Sequence, residues 1–338
     1  MLAAMLKSLG PIETNALDIA DVETPSPGPG QLLIRVTACG VCRSNLHMIE
    51  GDWAPSTPAQ LPIIPGHEVV GAIEEVGAGI TDFKAGDRVG VQPIFSTCRG
   101  CEFCISGREQ LCRSKKITGE NVNGGYAEYM IAEADFAYRL PEGVSDLDAA
   151  PLLCPGITAY GSVSKARLSP GKKVAVYGVG GVGHLVIQMA ALHGADVYAV
   201  TRGKEHQDLA DELGATVIDS SREHGAGSLI RRHGGMDSTI VFAPSSVVLS
   251  HAIQATKPGG IIVVGADGEV GPLPFAQEKT VVGSILGTRQ QMREVLTLAA
   301  EGKIRAHCEA FPLNDANEAL KRLKNGHIRG RAVLMPNS

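Results

Sequence analysis

The stretch Val174–Gly183 (VAVYGVGGVG) constrains the fold of this chain more than any other. The segment Lys172–Tyr177, apolar from Val174 onward, has the length and composition of a strand that enters a core. G-x-G-G-x-G follows it at Gly178, Gly180, Gly181 and Gly183, with Val182 between the last two, and then the helical-looking segment Gly183–His193. Glycines at such a turn let the backbone approach a pyrophosphate, and the helix N-terminus turns its amides toward the negative charge. A glycine-rich turn by itself occurs in many folds. Its place between a strand and a helix makes it a nucleotide-binding signal.

Strand-like and helix-like segments alternate beyond that turn: Asp196–Thr201, Glu205–Leu213, Thr216–Ile218, Ser228–Arg232, Ser238–Phe242, Val247–Ala255 and Gly260–Gly265. Alternation of this kind predicts an α/β domain, a doubly wound parallel sheet with helices on both faces. Before about residue 150 the texture differs. Short β-like runs (Gln31–Ala38, Val69–Val76, Arg88–Gln92) are separated by Pro and Gly clusters, which favours a small barrel or sandwich with loops. The last stretch reads helix, helix, strand over Met292–Ala300, Asn314–Leu323 and Arg331–Leu334. With 338 residues the chain has length for two separate cores.

The second strand of the wound sheet ends in Val200-Thr201-Arg202-Gly203-Lys204, with no acid before Glu205. An acid there would hold a free ribose 2′-OH, whereas a cation accommodates a 2′-phosphate. Thr201, Arg202 and Lys204 therefore favour NADP(H) over NAD(H). The plain alternative is that the two cations cap a solvated turn.

Cys98-x2-Cys101-x2-Cys104-x7-Cys112 crowds four thiols into a segment rich in Gly and charge. Four thiolates so spaced can close a tetrahedron around one Zn²⁺, and such a closed site is structural rather than catalytic. An iron–sulfur cluster is the main rival, but a bacterial ferredoxin run closes with a three-residue gap and a Pro. Two disulfides are a third reading and need an oxidising compartment. The N-terminus lacks a long apolar segment and soon turns acidic, which argues against a secretory signal and for a cytoplasmic location. Eight cysteines in a reducing compartment point to metal binding, and zinc is the expectation. A net charge of −5 without a basic run argues against nucleic acid, and no stretch has the ~20 apolar residues of a membrane helix.

Further motifs carry polar residues that a scaffold does not need. They are Cys39-Gly-Val-Cys42-Arg43-Ser44-Asn45-Leu46-His47, Gly66-His67-Glu68, Gly86-Asp87-Arg88-Val89 and Leu153-Cys154-Pro155-Gly156. Together with the cysteine lobe, the glycine turn, GGYAEY at 124–129 and GTRQQM at 287–292, the chain resembles the zinc-dependent alcohol dehydrogenases of the medium-chain dehydrogenase/reductase superfamily, bacterial type. The resemblance runs from Met1 to Leu334. It implies a GroES-like β-rich catalytic domain over 1–154 and 291–338, with a structural zinc lobe at 95–113. It also implies a Rossmann cofactor domain over 155–290.

Carried over residue by residue, the resemblance makes Cys42, His67 and Cys154 ligands of a catalytic zinc whose fourth position stays open. Taken singly, each would be read as a buried core residue. Glu68 resembles the family's acid beside the metal, Ser44 the hydroxyl on the substrate oxygen, and His47 the proton acceptor near the surface. Arg43 and Arg331 resemble pyrophosphate contacts, Thr158 faces the nicotinamide, and Val264 joins the cofactor residues. The implied substrate is a small alcohol or aldehyde, and the implied assembly a homodimer or homotetramer with two zincs per chain. Polyol or secondary-alcohol oxidation with NAD(H), and a non-catalytic NADP-binding protein, are the competing readings.

Two departures stand out. Asn45 replaces the family's usual Asp beside His67, which removes a charge from the metal's surroundings. Trp53 in Gly51-Asp52-Trp53 resembles a pocket tryptophan of ethanol-type enzymes, but Pro93 stands where close relatives often carry a second Trp. The smaller side chain predicts a wider pocket, suited to longer or aromatic substrates.

Overall fold

Gln31–Gly40 is the organising strand of the first half of the chain. Its apolar residues alternate strongly enough to bury Leu32, Ile34, Val36 and Ala38. The structure, a computed structural model, describes residues 1–53, 59–221 and 226–337. These fall into two units: Met1–Cys154 with Thr288–Ala300 and Ala306–Ser338, and Pro155–Gly287 with Glu301–Arg305.

In the first unit, Gln31–Gly40 pairs antiparallel with Val69–Val76, with register shifts at Leu33/Ile34 and Val36/Ala38. Its other edge is shared. Tyr129–Glu133 pairs with its first half, and Arg331–Met335 meets Cys39 and Gly40 at its end. Two partners along one edge bend the sheet around a single core, in which Ile34, Val69, Ile73, Val89, Met130 and Tyr126 are buried together. Fully burying each such aliphatic side chain contributes about 1.5–3 kcal/mol. Arg88–Val91 and Ala137–Arg139 continue the seven-stranded sheet on one side and Cys308–Pro312 on the other. This is the β-rich, GroES-like unit.

The second unit holds a six-stranded sheet in which every pairing is parallel. Across it run Thr216–Asp219, Asp196–Thr201, Lys173–Tyr177, Met236–Val241, Thr256–Val264 and Thr280–Gly283. In chain order that is third, second, first, fourth, fifth, sixth, the Rossmann arrangement. The order reverses beside Lys173–Tyr177, so the glycine turn leaves the sheet where open α/β sheets bind ligands.

Two of the differences from the sequence expectation have a clear physical cause. The strand expected over Gly260–Gly265 begins at Thr256 and runs through Lys257-Pro258-Gly259, which reads as a turn. Its pairing jumps from Met236↔Thr256 to Ser238↔Ile261, so the bulge absorbs the turn-forming residues. Cys308–Pro312 is a strand that periodicity did not reveal, because only Phe311 within it is buried. Among the described residues, no helix is long and apolar enough to cross a membrane.

Candidate active site

Cys42 ends the run out of Gln31–Gly40 and caps the helix Arg43–Glu50 in extended conformation (φ −95°, ψ 145°). That geometry places Ser44, Asn45 and His47 on the first two turns of the helix. Gly66 (φ +100°) precedes His67, and a Cβ there would overlap the Tyr126 ring and stand 2.8 Å from Cys39 Sγ. Only glycine lets the chain turn His67 inward at this point. Cys154 follows the short 3₁₀ turn Ala150–Leu153, all of whose residues are buried.

These segments bring ligand atoms of Cys42, His67, Glu68 and Cys154 within 4.8 Å of one another. Cys42 Sγ and Cys154 Sγ are 3.9 Å apart. Two thiolates on one tetrahedral zinc, at Zn–S of about 2.3 Å, stand about 3.8 Å apart, so the spacing fits. Hydrogen bonding from Cys154 holds the Cys42 thiol well below its ordinary range, as a ligand thiolate requires. Ser44 Oγ donates to Cys42 Sγ at 3.1 Å and lies 3.4 Å from His67 Nε2. The ring edge that faces the sulfurs is therefore Nε2.

Nδ1 of His67 lies 3.4 Å from the Asn45 amide nitrogen, and Tyr126 donates its hydroxyl to Asn45 Oδ1 at 3.3 Å. With Nε2 on a metal, Nδ1 carries the proton and needs an acceptor. A half-turn of the amide puts Oδ1 on Nδ1 and Nδ2 on the Tyr126 oxygen, which satisfies all three groups. Tyr126 is fully buried and was not singled out from the sequence, since its motif marks a turn and a strand, not a site.

Glu68 is also fully buried. Arg331 donates to its Oε1, while Oε2 has no partner and no solvent. Burial pushes its carboxyl up to about 7 against the pull of the Arg331 guanidinium. The resemblance gives Arg331 a pyrophosphate. The partner the structure gives it is Glu68, with 4 % of the residue exposed. Arg43 Nη2 donates to the Leu323 carbonyl at 3.0 Å. His47 Nδ1 lies 2.6 Å from Asp52 Oδ2, and its ring centroid is 5.4 Å from that of Trp53. Pro93 is buried and accepts the Thr118 N–H at 2.8 Å.

In the cysteine lobe, Cys98–Cys104, Cys101–Cys104 and Cys98–Cys112 are 3.9, 3.5 and 3.6 Å apart. These lengths again match the edges of a tetrahedron of thiolates about one zinc, about 3.8 Å. Backbone N–H groups of Gly100 and Cys101 draw the Cys98 thiol down to about 6. Among the described residues these two groups are the metal-capable clusters.

In the second unit, Gly178 adopts φ +91°, and a Cβ on Gly183 would strike the Gly178 carbonyl. Around Gly180 the space is open. Val182 precedes the helix Gly183–Leu192, whose first turn therefore faces the end of Lys173–Tyr177. Thr201 is buried at the end of its strand, and Arg202 is exposed with no hydrogen bond or ion pair among the described residues. Lys204 begins the next helix and is paired with Asp208 at 2.7 Å, a local partner the sequence reading did not foresee. Thr158 lies on the helix Pro155–Lys165, and Val264 ends the strand Thr256–Val264.

Comparison with known proteins agrees with this architecture. Residues 28–142 match the model of the alcohol dehydrogenase GroES-like domain, and 181–301 that of the zinc-binding dehydrogenases. An alcohol dehydrogenase of Geobacillus stearothermophilus is 41 % identical over 324 residues, covering 94 % of this chain and 96 % of its own. One from Moraxella sp. (strain TAE123) is 38 % identical and covered to 99 % in both chains. The crystal structure of the alcohol dehydrogenase from the archaeon Aeropyrum pernix superposes with TM-score 0.92 at 32 % identity, over 99 % of this chain and 100 % of that one. The chain belongs to the zinc-binding alcohol dehydrogenases of the medium-chain dehydrogenase/reductase superfamily, bacterial type.

Proposed function

We propose that the chain interconverts a primary alcohol and its aldehyde with NADP(H), the hydride passing between the alcohol carbon and the nicotinamide and one proton leaving to solvent. The observation that carries this reading is the three-ligand set of Cys42, His67 and Cys154, with a sulfur separation of 3.9 Å suited to zinc. A zinc ion held there supplies a Lewis acid that polarises the substrate oxygen and eases loss of its proton near neutral pH. A second zinc belongs to Cys98, Cys101, Cys104 and Cys112, where it closes a loop and does no chemistry.

The chain's own side chains handle the proton. Ser44 Oγ, beside both Cys42 and His67, holds the hydrogen bond to the substrate oxygen. His47 stands one turn further along the same helix, with 27 % of its side chain exposed and Asp52 on Nδ1, and passes the proton to water. Imidazole suits that role because its ordinary pKa lies near neutrality. Arg331 engages one oxygen of Glu68, and the other stays free beside the ligand set, as suits an acid that stands next to the metal.

NADP(H) preference rests on Arg202, an exposed cation with no hydrogen bond or ion pair among the described residues, at the end of the second strand, where a 2′-phosphate would lie. Lys204, held by Asp208, contributes less than the sequence suggests. A cytoplasmic homodimer or homotetramer is the assembly we infer from the family likeness. The deciding experiment measures oxidation of NADPH and NADH with a panel of aldehydes, alongside metal analysis. We expect two zincs per chain and a clear NADPH preference that Arg202→Ala removes. Equal rates with both cofactors in the unaltered protein would overturn the cofactor reading, and one zinc per chain the catalytic-metal reading.

A further inference from the structure

Arg88, in the motif Gly86-Asp87-Arg88-Val89, forms an ion pair with Asp146 that no step of the chemistry described so far uses. Its guanidinium makes three bonds to one short segment. Nη1 donates to the Pro141 carbonyl at 3.1 Å, Nη2 to that of Val144 at 2.6 Å, and Nε to Asp146 Oδ1 at 2.5 Å. A planar fork of fixed donors suits three acceptors spread along a loop. Asp146 opens the short helix Asp146–Ala149, capped by Ser145, whose hydroxyl accepts the Asp148 N–H at 3.1 Å. That helix runs directly into the buried turn Ala150–Leu153 and so to Cys154. Gly90 holds the far end of this run. It lies on the same face of the strand Arg88–Val91 as Arg88, and a Cβ there would stand 2.8 Å from Leu153 Cδ2. One strand therefore grips the segment 141–153 at both ends, and Cys154 emerges from the second grip.

The other oxygen of Asp146 reaches the segment that leads to Cys42. Oδ2 accepts the Thr37 hydroxyl at 2.5 Å, a shorter contact than the 3.2 Å between that hydroxyl and the Val70 carbonyl. Thr37 stands where the pairing of Gln31–Gly40 with Val69–Val76 slips between Val36 and Ala38. A bulge re-aims the side chain it carries, and here it turns the hydroxyl toward Asp146. The same strand continues through Gly40 to Cys42. One carboxylate thus ties together the two segments that deliver the sulfurs, which stand 3.9 Å apart although 112 residues separate them in sequence. Metal–ligand bonds keep to within about 0.2 Å of their ordinary length, so a drift of either segment weakens the two thiols as a pair of ligands.

We propose that Asp146 is a positioning residue for the metal of the Cys42–His67–Cys154 set: bridging Arg88 and Thr37, its carboxylate fixes the spacing of the two sulfurs from outside the ligand set. This rests on reading those three residues as one zinc site. It is independent of the substrate and of the choice between NADP and NAD. It also gives the Gly86–Val89 motif a role at the metal, exerted through the segment 141–153 and not by contact.

The test follows zinc release from the zinc-loaded full-length protein to a chromogenic chelator, well below the melting temperature. Zinc in the cysteine lobe serves as the internal control, and Cys101→Ser identifies which signal belongs to it. We expect Asp146→Ala to release zinc from the Cys42 site about tenfold faster, the low end for groups that orient metal ligands, with the lobe zinc unaffected. Thr37→Val leaves the Arg88–Asp146 pair in place and should show most of the same acceleration. Combining the two should add little, because both remove one bridge. Asp146→Asn can accept from Arg88 with Oδ1 and donate Nδ2 to the Thr37 hydroxyl, which then turns to Val70, so most of the slow release should survive. Should the Asp146→Ala chain fail to fold, Thr37→Val decides. Unchanged release in Thr37→Val and Asp146→Ala overturns the inference, and so does equal acceleration of both zincs, which marks a general loss of stability. Equal acceleration in Asp146→Asn and Asp146→Ala overturns the hydrogen-bonded bridge in favour of charge alone. An unaltered protein that holds zinc only in its lobe sinks the catalytic-metal reading and this inference with it.

Discussion

The guanidinium of Arg331 donates to the carboxylate of Glu68, 263 residues away in sequence, and both side chains are shut off from solvent behind Cys42, His67 and Cys154. Gly40 is part of the same arrangement, because a Cβ there would overlap the Glu68 carboxylate. Breaking such a pair strands a charge, which typically costs about 3–5 kcal/mol, whereas replacing both partners costs far less. Arg331→Leu should therefore destabilise the first unit by about that amount in urea denaturation. Adding Glu68→Gln to that variant should recover a substantial part. A double variant no more stable than Arg331→Leu would show that the guanidinium acts through packing and not through charge.

The Tyr126–Asn45–His67 chain leads to a second expectation. Asn45→Asp restores a carboxylate next to His67, raises the basicity of that ligand and makes the metal less electrophilic. Zinc should stay bound, while the acid limb of the pH–rate profile moves to higher pH. Tyr126→Phe removes the anchor of the amide and should weaken zinc retention by about tenfold in a chelator competition, the low end for such outer partners. Loss of zinc from Asn45→Asp would contradict this account of the hydrogen bonds.

The cysteine lobe should behave as a staple. Cys101→Ser removes one corner of the tetrahedron, and we expect one zinc per chain to be lost. With a stability loss of about 3 kcal/mol, the melting temperature should fall by roughly 6–12 °C. Activity measured below the new melting range should fall much less than stability does. A variant with full zinc content and no activity would place this lobe in the chemistry instead.

Asp237 supplies a pH dependence away from either metal site. Burial raises its pKa, but the Lys173 N–H at 2.9 Å and the ammonium groups of Lys257 and Lys172 at 3.1 and 3.4 Å outweigh it, so the net shift is downward. A group depressed in the folded state stabilises fully above its unfolded pKa of about 3.9 and loses that contribution as pH falls through the folded value. Asp237→Asn should thus cost about 1–2 kcal/mol at pH 7. The difference between the two proteins should shrink below about pH 4. A constant difference from pH 7 to pH 3 would mean that charge plays no part.

Much of the fold was legible because its signals are local. A β-branched run ending in G-x-G-G-x-G needs no distant partner to be recognised, and the structure places it as the first strand of the wound sheet. Thr256–Val264 was shortened in the reading because Pro258, Gly259 and Gly260 look like a turn, and only pairing with Met236–Val241 across a bulge makes them strand. Arg202 and Lys204 look equivalent in sequence. The structure separates them, since helix formation puts Asp208 one turn from Lys204, whereas Arg202 has no ion pair among the described residues.

By itself the sequence determined the residue types and the short spacings: the glycine turn, the four-cysteine lobe, and the cysteines and histidines able to bind zinc. Those features depend on bond geometry and donor chemistry within a dozen residues. Only the tertiary structure decided which distant groups share one space. It set Cys154 3.9 Å from Cys42 across 112 residues, Tyr126 on Asn45 across 81, and Arg331 on Glu68 across 263. Such pairings follow from sheet register and core packing, which depend on the whole chain and leave no periodic trace in the residues they join.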